Sequence, residues 1–308
     1  MASGAAARTT AHTLFRHAAQ YAEHRPTYPA SVFAAIRDAV SEPRHLVIDV
    51  GTGTGQALPG LLEHFGSVVG LEPSGPQQAK AADMAASLDP ERVRVVHTGS
   101  EDLALERSGV DPGTACAVTA FQAAHWFELG GPDGFYSSAA RVLRPGGVVA
   151  LVGYGNCKVT AADGGGDAAS AAEACLKLYE GVLGPFWDER RRLVDAHYRG
   201  MEPERSTVAD WAVGGEGARA DDAADAVSIA PVWERCWRED ALSIERVMPL
   251  DAFLGYIATW SAYQTYSKDH PDAEALIAEL SASLTEHLGR GELRVTWPVF
   301  MLFSRRAS

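Results

Sequence analysis

The chain has 308 residues, of which 46% are hydrophobic and 22% are charged, a balance typical of a soluble globular protein. Its net charge of -13 argues against a partner that is a nucleic acid or an anionic membrane, because both need a basic protein surface. The four cysteines lie far apart without C-x-x-C spacing, so they predict neither a disulfide framework nor a zinc site.

The pattern of the amino-terminal segment does not predict a secretory signal. It reads MASGAAARTTAHTLF and lacks an apolar core, and no run in the chain reaches the roughly 18 apolar residues of a membrane span. A transit peptide is the weaker alternative, since Arg8 and Arg16 precede the first acidic residue, Glu23. We therefore expect a cytoplasmic protein.

Residues 31–154 alternate between strand and helix patterns. Short apolar runs predict strands at 45–50, 67–71, 93–97, 114–120 and 148–154. Helical periodicity predicts helices at 31–41, 56–65, 74–88 and 132–143, with Ser74 as an N-cap and a break at 144–147. This alternation predicts an open parallel α/β sheet with right-handed crossovers.

The second half of the chain has a different pattern. Helices are expected at 168–182, 186–199, 250–260 and 272–288, and the Gly/Ala/Asp-rich stretch 213–226 predicts an exposed loop. Residues 232–238 and Leu293–Phe303 predict strands, and Pro298 favours an edge position for the second. We expect an N-terminal lid at 1–30, an α/β core at 31–154, a helical cap at 155–265 and a return to the sheet at 266–308.

The strongest motif is Val47-Ile-Asp-Val-Gly-Thr-Gly-Thr-Gly55, in which glycines follow a strand and allow a sharp turn. Ligands of open α/β sheets bind at the carboxyl ends of strands. The dinucleotide fingerprint G-x-G-x-x-G fails here, because Gln56 stands in place of its third glycine. The spacing D-x-G-x-G-x-G instead favours S-adenosyl-L-methionine, which has no pyrophosphate.

Acidic residues follow the next two strands. Glu72 ends the second strand, where a carboxylate can accept both hydroxyls of a ribose. The third strand leads into Thr98-Gly-Ser-Glu-Asp102, whose small and acidic groups suit an adenine edge. Each feature alone is common in turns and on surfaces, but their combination with the glycine loop predicts a nucleoside site.

Over residues 45–154 the chain resembles the class I S-adenosylmethionine-dependent methyltransferases, through VIDVGTGTG, VVGLEPS, HTGSEDL, CAVTAFQAAHWF and ARVLRPGG in that order. Three further segments look like the trans-aconitate methyltransferase-like group of small-molecule methyltransferases: His125-Trp126-Phe127, Tyr21-x-x-x-Arg25-Pro-x-Tyr28-Pro29 and Thr259-Trp-Ser-Ala-Tyr263. The resemblance implies a Rossmann-like, doubly wound, mostly parallel sheet of seven strands, and methyl transfer from S-adenosyl-L-methionine.

The resemblance also assigns roles to residues. Asp49 and the glycines carry over to the methionine end of the cofactor, Glu72 to the ribose, Ser100 and Glu101 to the adenine, and Gln122 to the wall beside the methionine moiety. The expected cofactor-binding set is Asp49, Gly51, Thr52, Gly53, Gly55, Glu72, Pro73, Ser100, Glu101, Gln122, Tyr21 and Arg25. The expected substrate-binding set is Tyr28, Trp126, Trp260 and Tyr263.

One departure from the family concerns the fourth strand. Many relatives have an acid at its start, whereas this chain has Ala115-Cys116-Ala117. No carboxylate from this position can hold a metal or a substrate amine, so we expect a metal-independent reaction.

The candidate catalytic residue is His125, which follows the fourth strand and could act as a base; the alternative is that it packs beside Trp126 and bonds a backbone carbonyl. Arg25 suits a bidentate grip on a carboxylate of the cofactor or the substrate, or is an ordinary surface arginine. Trp260 could close the pocket or belong to a helix core, and Arg190-Arg191-Arg192 could attract anions or form a solvated helix face.

Methyl transfer to a small molecule, most plausibly an anionic one bearing a carboxylate, is the leading hypothesis for function. Such an acceptor needs no base, so alignment by the protein is sufficient. A second hypothesis is intramolecular displacement within the cofactor, giving an azetidine acid and methylthioadenosine. A third is a nucleoside-binding regulator without turnover, and a nicotinamide oxidoreductase is disfavoured by Gln56. The sequence does not indicate an oligomeric state.

Overall fold

The structure is a computed structural model that describes residues 25–104, 106–204, 208–211 and 232–308, with the backbone alone at 208–211. Tyr21 and the loop expected at 213–226 lie outside these ranges, so the predictions made for them stay predictions. No helix of the described residues is long and apolar enough to cross a membrane.

Nine strands of the described residues form one sheet in the order β3-β2-β1-β4-β5-β9-β8-β7, with β6 paired to β9. The strands are β1 Leu46–Val50, β2 Ser67–Leu71, β3 Val93–Val96, β4 Ala115–Phe121, β5 Leu143–Tyr154, β6 Lys158–Ala161, β7 Val208–Trp211, β8 Trp233–Met248 and β9 Leu293–Arg306. The pairs β2–β3, β1–β2, β1–β4 and β4–β5 are parallel. The Rossmann-like α/β fold is thus confirmed, although the sheet has nine strands rather than the seven expected.

The helices of the described residues are α1 Ala30–Ala39, α2 Leu58–Leu62, α3 Gly75–Leu88, α4 Phe135–Val142, α5 Ala168–Leu176, α6 Arg191–Asp195, α7 Leu250–Ala258, α8 Ser261–Asp269 and α9 Ala273–Leu288. A π-helical turn, Lys177–Val182, continues α5. The helices expected at 56–65 and 186–199 are only five residues long. Ser74 precedes α3 as expected, but its side chain does not cap the helix.

Burial explains why the central strands were recognisable from the sequence. Every residue of β4 is buried, as are the last four residues of β1 and of β2. Strands covered on both faces become nearly continuous apolar runs, which is the pattern that predicted them.

Two predictions about the outer strands are wrong. β8 and β9 are not edge strands, because each has a neighbour on both sides in the sheet. Pro298 lies inside the sheet, where its carbonyl accepts the backbone N–H of Gly155 at 2.9 Å.

The helix before β5 ends at Val142, just before the break expected at 144–147. Those residues belong to β5, and the register shifts there from the pair Ala115–Leu143 to the pair Ala117–Val148.

The described residues divide into two compact units. The strand unit contains Tyr28–Gly153, Ala196–Leu242 and Phe300–Ser308. The helical unit contains Tyr154–Asp195 and Ser243–Val299, together with the described residues up to Thr27. The expected boundary after residue 154 lies within one residue of the boundary between the units, but 196–242 of the expected cap fall in the strand unit.

Candidate active site

The carboxyl ends of four parallel strands lie side by side in the strand unit. Val50 of β1 is in register with Leu71 of β2, and Leu71 with Val96 of β3. Asp49 is in register with Thr119 of β4 on the other side. The strand order reverses between β1 and β4, which is where open α/β sheets bind ligands. The loops 51–55, 72–74, 97–102 and 122–127 therefore meet at one edge of the sheet.

The glycine loop turns sharply after β1. Gly51, Gly53 and Gly55 have φ angles of 70°, 62° and 90°, a region that side chains with a Cβ disfavour. The backbone N–H groups of Gly51 and Thr52 donate to the carbonyl of Leu71 at 2.8 and 3.0 Å. A Cβ on Gly51 would stand 2.7 Å from the Cβ of Ala123, so glycine is required there by space as well as by conformation.

Glu72 joins the ends of β1 and β2. Its Oε2 accepts the N–H of Gly53 and its Oε1 accepts the N–H of Ser74, both at 2.8 Å. Burial raises the pKa of Glu72, and the two backbone hydrogen bonds oppose that rise. Each carboxylate oxygen keeps a further lone pair, so the group can still accept hydroxyls of a ribose.

Asp49 is the buried carboxylate of the site and is fully inaccessible to solvent. Its Oδ1 accepts the hydroxyl of Thr119 at 2.8 Å, while its Oδ2 is buried without a hydrogen-bond partner in the described part of the chain. Burial raises the pKa of Asp49 to about 7, against the opposing effect of nearby hydroxyls and with a smaller contribution from Glu72. A buried carboxylate oxygen without a partner lacks the donor that the ammonium group at the methionine end of S-adenosylmethionine would supply, so Asp49 fits that group by its chemistry.

The loop after β3 is fastened by a short hydrogen bond. Thr98 donates its hydroxyl to Oδ2 of Asp102 at 2.5 Å, across the 3₁₀ turn Ser100–Asp102. Ser100 is half-buried and Glu101 is exposed. Beside this loop, the ring Nε2 of His97 lies 3.1 Å from the carbonyl of Pro73. The adenine role of Ser100 and Glu101 stays a prediction.

Gln122 follows the last residue of β4 in a left-handed conformation, with φ 52°. Its N–H donates to the carbonyl of Val152 in β5 at 2.8 Å, so the strand pairing holds the residue in place. Such backbone strain in a residue with a side chain persists only where its surroundings enforce it, and it concentrates at functional sites. The turn at Gln122 leads into the 3₁₀ helix Ala124–Trp126, which carries His125.

His125 lies next to Tyr198, a residue that the sequence analysis did not identify. Its ring Nδ1 is 3.2 Å from the hydroxyl of Tyr198, and its ring centroid is 5.2 Å from that of Trp126. His197 and Tyr198 both have positive φ, 55° and 59°, and Arg238 donates to the carbonyl of His197 at 2.6 Å. His125 thus packs beside Trp126 as the alternative expected, but the partner found for its Nδ1 is a tyrosine hydroxyl.

Tyr28 is also part of this edge. Its ring meets that of Phe121, the last residue of β4, edge-to-face at 4.7 Å between centroids. Tyr28, Trp126 and the described cofactor-binding candidates other than Arg25 all lie in the strand unit.

Arg25, Trp260 and Tyr263 lie in the helical unit. Arg25 donates to the hydroxyl of Tyr154 at 3.0 Å and to the carbonyl of Thr259 at 3.2 Å, and its guanidinium stands 5.6 Å from the ring centroid of Tyr256. Trp260 and Tyr263 are buried, at 4% and 8% exposure, which agrees with a place in a helix core. Their roles in binding stay predictions.

Metal ligands do not gather in the described ranges, where no three His, Cys, Asp or Glu side chains form a group that could hold an ion. Ala115, Cys116 and Ala117 at the start of β4 are buried. The metal-independent reaction remains an expectation.

Comparison with known proteins connects this geometry to a chemistry. Residues 47–147, from β1 to the start of β5, match the family model described as a methyltransferase domain. A Dictyostelium discoideum protein named as a methyltransferase is 28% identical over 93% of this chain and 92% of its own length. A Saccharomyces cerevisiae protein named as an S-adenosylmethionine-dependent methyltransferase is 24% identical over 94% of this chain and 95% of its own length.

A solved structure shares the fold over nearly the whole chain. It is described as a type II methyltransferase from Anaeromyxobacter dehalogenans, and it superposes with a TM-score of 0.66 and 29% identity. The superposition covers 91% of this chain and 97% of that one. The similarity therefore extends well beyond residues 47–147.

Proposed function

We propose that this chain, which the comparisons support as an S-adenosylmethionine-dependent methyltransferase, methylates a carboxylate oxygen of a small molecule. This is the chemistry implied by the resemblance to the trans-aconitate methyltransferase-like group. The observation that carries the proposal is the hydrogen-bond distance of 3.2 Å between Nδ1 of His125 and the hydroxyl of Tyr198.

This contact makes the proton arrangement of His125 decisive. When the Tyr198 hydroxyl donates to Nδ1, the ring proton of a neutral histidine resides on Nε2 and the ring does not act as a base; when Nδ1–H donates to the hydroxyl, Nε2 is the acceptor nitrogen. An amine or alcohol acceptor would need a base near neutral pH, whereas a carboxylate is already ionised. The proposed function takes the first arrangement, in which His125 and Tyr198 position the acceptor and do not deprotonate it.

The residues of the strand unit divide the remaining work. Asp49 would hold the ammonium group of the cofactor through its unpartnered Oδ2, Glu72 would accept ribose hydroxyls, and the glycine loop would bring backbone N–H groups close to the cofactor. S-adenosylmethionine supplies a methyl group activated by its sulfonium: the C–S bond breaks as the C–O bond forms, giving a methyl ester and S-adenosylhomocysteine. The reaction transfers no proton, so alignment can provide most of the rate enhancement, worth roughly 7–11 kcal/mol in favourable cases.

Mass spectrometry of the products tests the proposal. The protein is incubated with S-adenosylmethionine, alone and with a panel of small mono-, di- and tricarboxylic acids. S-adenosylhomocysteine appearing together with the methyl ester of one acid is the expected result. A methylated amine or thiol from a mixed metabolite panel, or methylthioadenosine without any added acceptor, would overturn the carboxylate assignment.

A further inference from the structure

The helical unit contains an arginine lodged between aromatic rings. The guanidinium carbon of Arg191 stands 4.8 Å from the ring centroid of Trp187 and 5.2 Å from that of Tyr179. These rings are themselves 4.9 Å apart, and Trp187 is fixed by its indole N–H, which donates to the carbonyl of Tyr179 at 3.0 Å. Trp260 is the third ring of the group; its centroid lies 5.3 Å from that of Tyr179 and 5.7 Å from that of Trp187. We call Tyr179, Trp187, Arg191 and Trp260 the arginine box.

Only one edge of the Arg191 guanidinium is occupied. Its Nε donates to the hydroxyl of Tyr179 at 2.6 Å and to Oδ1 of Asp195 at 3.2 Å. Neither Nη nitrogen has a hydrogen-bond partner among the described residues, and the side chain keeps 19% of its surface exposed. The end of the guanidinium that carries both Nη groups is the end that pairs with a carboxylate through two parallel hydrogen bonds.

Asp195 shapes the charge of the box. Tyr179 donates its hydroxyl to Asp195 at 2.7 Å, so tyrosine and aspartate together hold the Nε edge and set the orientation of the planar group. The Arg191–Asp195 pair is formally neutral, which weakens the attraction for anions in general. A carboxylate bearing one charge is therefore favoured over a phosphate dianion, which Asp195 would repel more strongly.

We propose that the arginine box binds a small molecule that bears a carboxylate, through Nη1 and Nη2 of Arg191, with an apolar or conjugated part of the ligand against the rings of Trp187 and Trp260. The assignment rests on the proposed function for the nature of the ligand. It concerns a binding group of the helical unit and requires no reaction there.

Calorimetric titration of the full chain without S-adenosylmethionine tests the box directly. The probes are sorbate, cinnamate and inorganic phosphate at 0.15 M salt, where weak surface attraction is screened; the two organic acids are conjugated and carry one charge each. We expect at least one of the two organic acids to bind more tightly than phosphate. Phosphate binding as tightly as both acids, or no binding of either acid, would overturn the proposal.

Variants locate the binding. Arg191→Gln should weaken the affinity for the acid at least about tenfold, which is about 1.4 kcal/mol. Arg192→Gln is the matched control, because it removes the same charge one residue away, from an exposed side chain without a hydrogen bond or ion pair in the described residues. It should change the affinity less than twofold. Equal losses in the two variants would contradict the box.

Two more variants test the stability of the protein and the role of the aromatic rings of the box. Arg191→Gln leaves Asp195 without its ion pair, so the double variant Arg191→Gln/Asp195→Asn removes both charges and should show the same loss of affinity in a stably folded protein. Trp187→Leu keeps the guanidinium of Arg191 but removes one aromatic ring. It should therefore weaken the binding of cinnamate more than the binding of phosphate. Wild-type affinity in the double variant would overturn the role of Arg191.

The binding and methylation results fail independently. If acid binding depends on Arg191 but no methyl ester is formed, the arginine box is supported and the proposed function is wrong. Methyl ester formed by the wild type, together with acid binding that is equally tight in the wild type and in Arg191→Gln, would confirm the function and contradict the box.

Discussion

Glu72 at the end of β2 accepts the backbone N–H of Gly53 in the loop after β1, at 2.8 Å. The same carboxylate accepts the N–H of Ser74, which precedes α3, at 2.8 Å. One buried side chain thereby connects the glycine loop, the second strand and the following helix. The residue expected to hold the ribose also holds the shape of the loop that surrounds it.

Glu72→Gln should therefore damage cofactor binding in two ways. The amide keeps one acceptor oxygen but presents an NH₂ group to a backbone N–H, so at least one of the two hydrogen bonds is lost, at a cost of about 1.5–3 kcal/mol. We expect the affinity for S-adenosylhomocysteine to fall at least about tenfold by calorimetry. The exposed Glu63→Gln, a charge-matched control in the same unit, should bind normally, and unchanged affinity in Glu72→Gln would contradict this role.

The glycine loop offers a second test, with a control that separates strain from space. Gly51 and Gly113 have nearly the same φ, 70° and 71°, but a Cβ on Gly51 meets Ala123 at 2.7 Å whereas a Cβ on Gly113 meets nothing within 4 Å. Gly113→Ala should cost only the strain of a left-handed alanine, about 1–2 kcal/mol of unfolding free energy.

Gly51→Ala should cost more than this and should weaken S-adenosylhomocysteine binding, because the loop must shift to accept the methyl group. Urea unfolding of both variants and calorimetry with S-adenosylhomocysteine give the comparison. Equal losses of stability with intact binding in both variants would show that the close approach to Ala123 has no consequence.

Asp49 predicts a pH dependence of stability. Burial raises its pKa from 3.8 to about 7, so between these values the folded protein keeps a proton that the unfolded chain releases. The free energy of unfolding contributed by this group therefore falls as the pH rises from 4 to 7, by on the order of 4 kcal/mol. Urea unfolding at several pH values should show a flatter curve for Asp49→Asn than for the wild type.

Some of this slope should survive in Asp49→Asn, because burial also raises the pKa of Glu72 and acts in the same direction. The difference between the two curves isolates Asp49. Parallel curves for wild type and variant would mean that the buried carboxylate is ionised over the whole range.

The site at the carboxyl ends of β1 to β4 could be predicted from the sequence, because each of its parts lies within a short stretch of the chain. Buried parallel strands are apolar runs, and their loops begin where the runs end, so Asp49, the glycines and Glu72 were placed by position alone. The position of β9 in the sheet could not be predicted from its own stretch of sequence, because it depends on long-range strand pairing. Pro298 signalled an edge, and only the long-range sheet order, with β5 and β8 on its two sides, shows that the proline is inside.

Tyr198 and the arginine box show the second limit of the sequence. Tyr198 reaches His125 across 73 positions, in a turn of two positive-φ residues within a segment predicted as helix. Tyr179 and Trp187 belong to no motif, and aromatic residues in helical segments belong to a core more often than to a site. Nothing in the sequence therefore singled them out. Their significance depends on Arg191, which could be recognised only as one of three consecutive arginines.

His125 and Tyr198 distinguish an orienting histidine from a base. Loss of a general base costs about 10²–10⁴ in rate, and kcat/KM then rises with pH through the pKa of the histidine. If His125 orients an ionised acceptor, His125→Asn should cost less than about 10² in kcat/KM, and the wild-type profile should have no rising limb that depends on His125. Tyr198→Phe should have a similar effect to His125→Asn, and the double variant should lose little more, because the two side chains act as one unit. Steady-state kinetics of the four proteins over a range of pH test this: a rising limb that disappears in His125→Asn would establish a base, and with it an acceptor that must lose a proton.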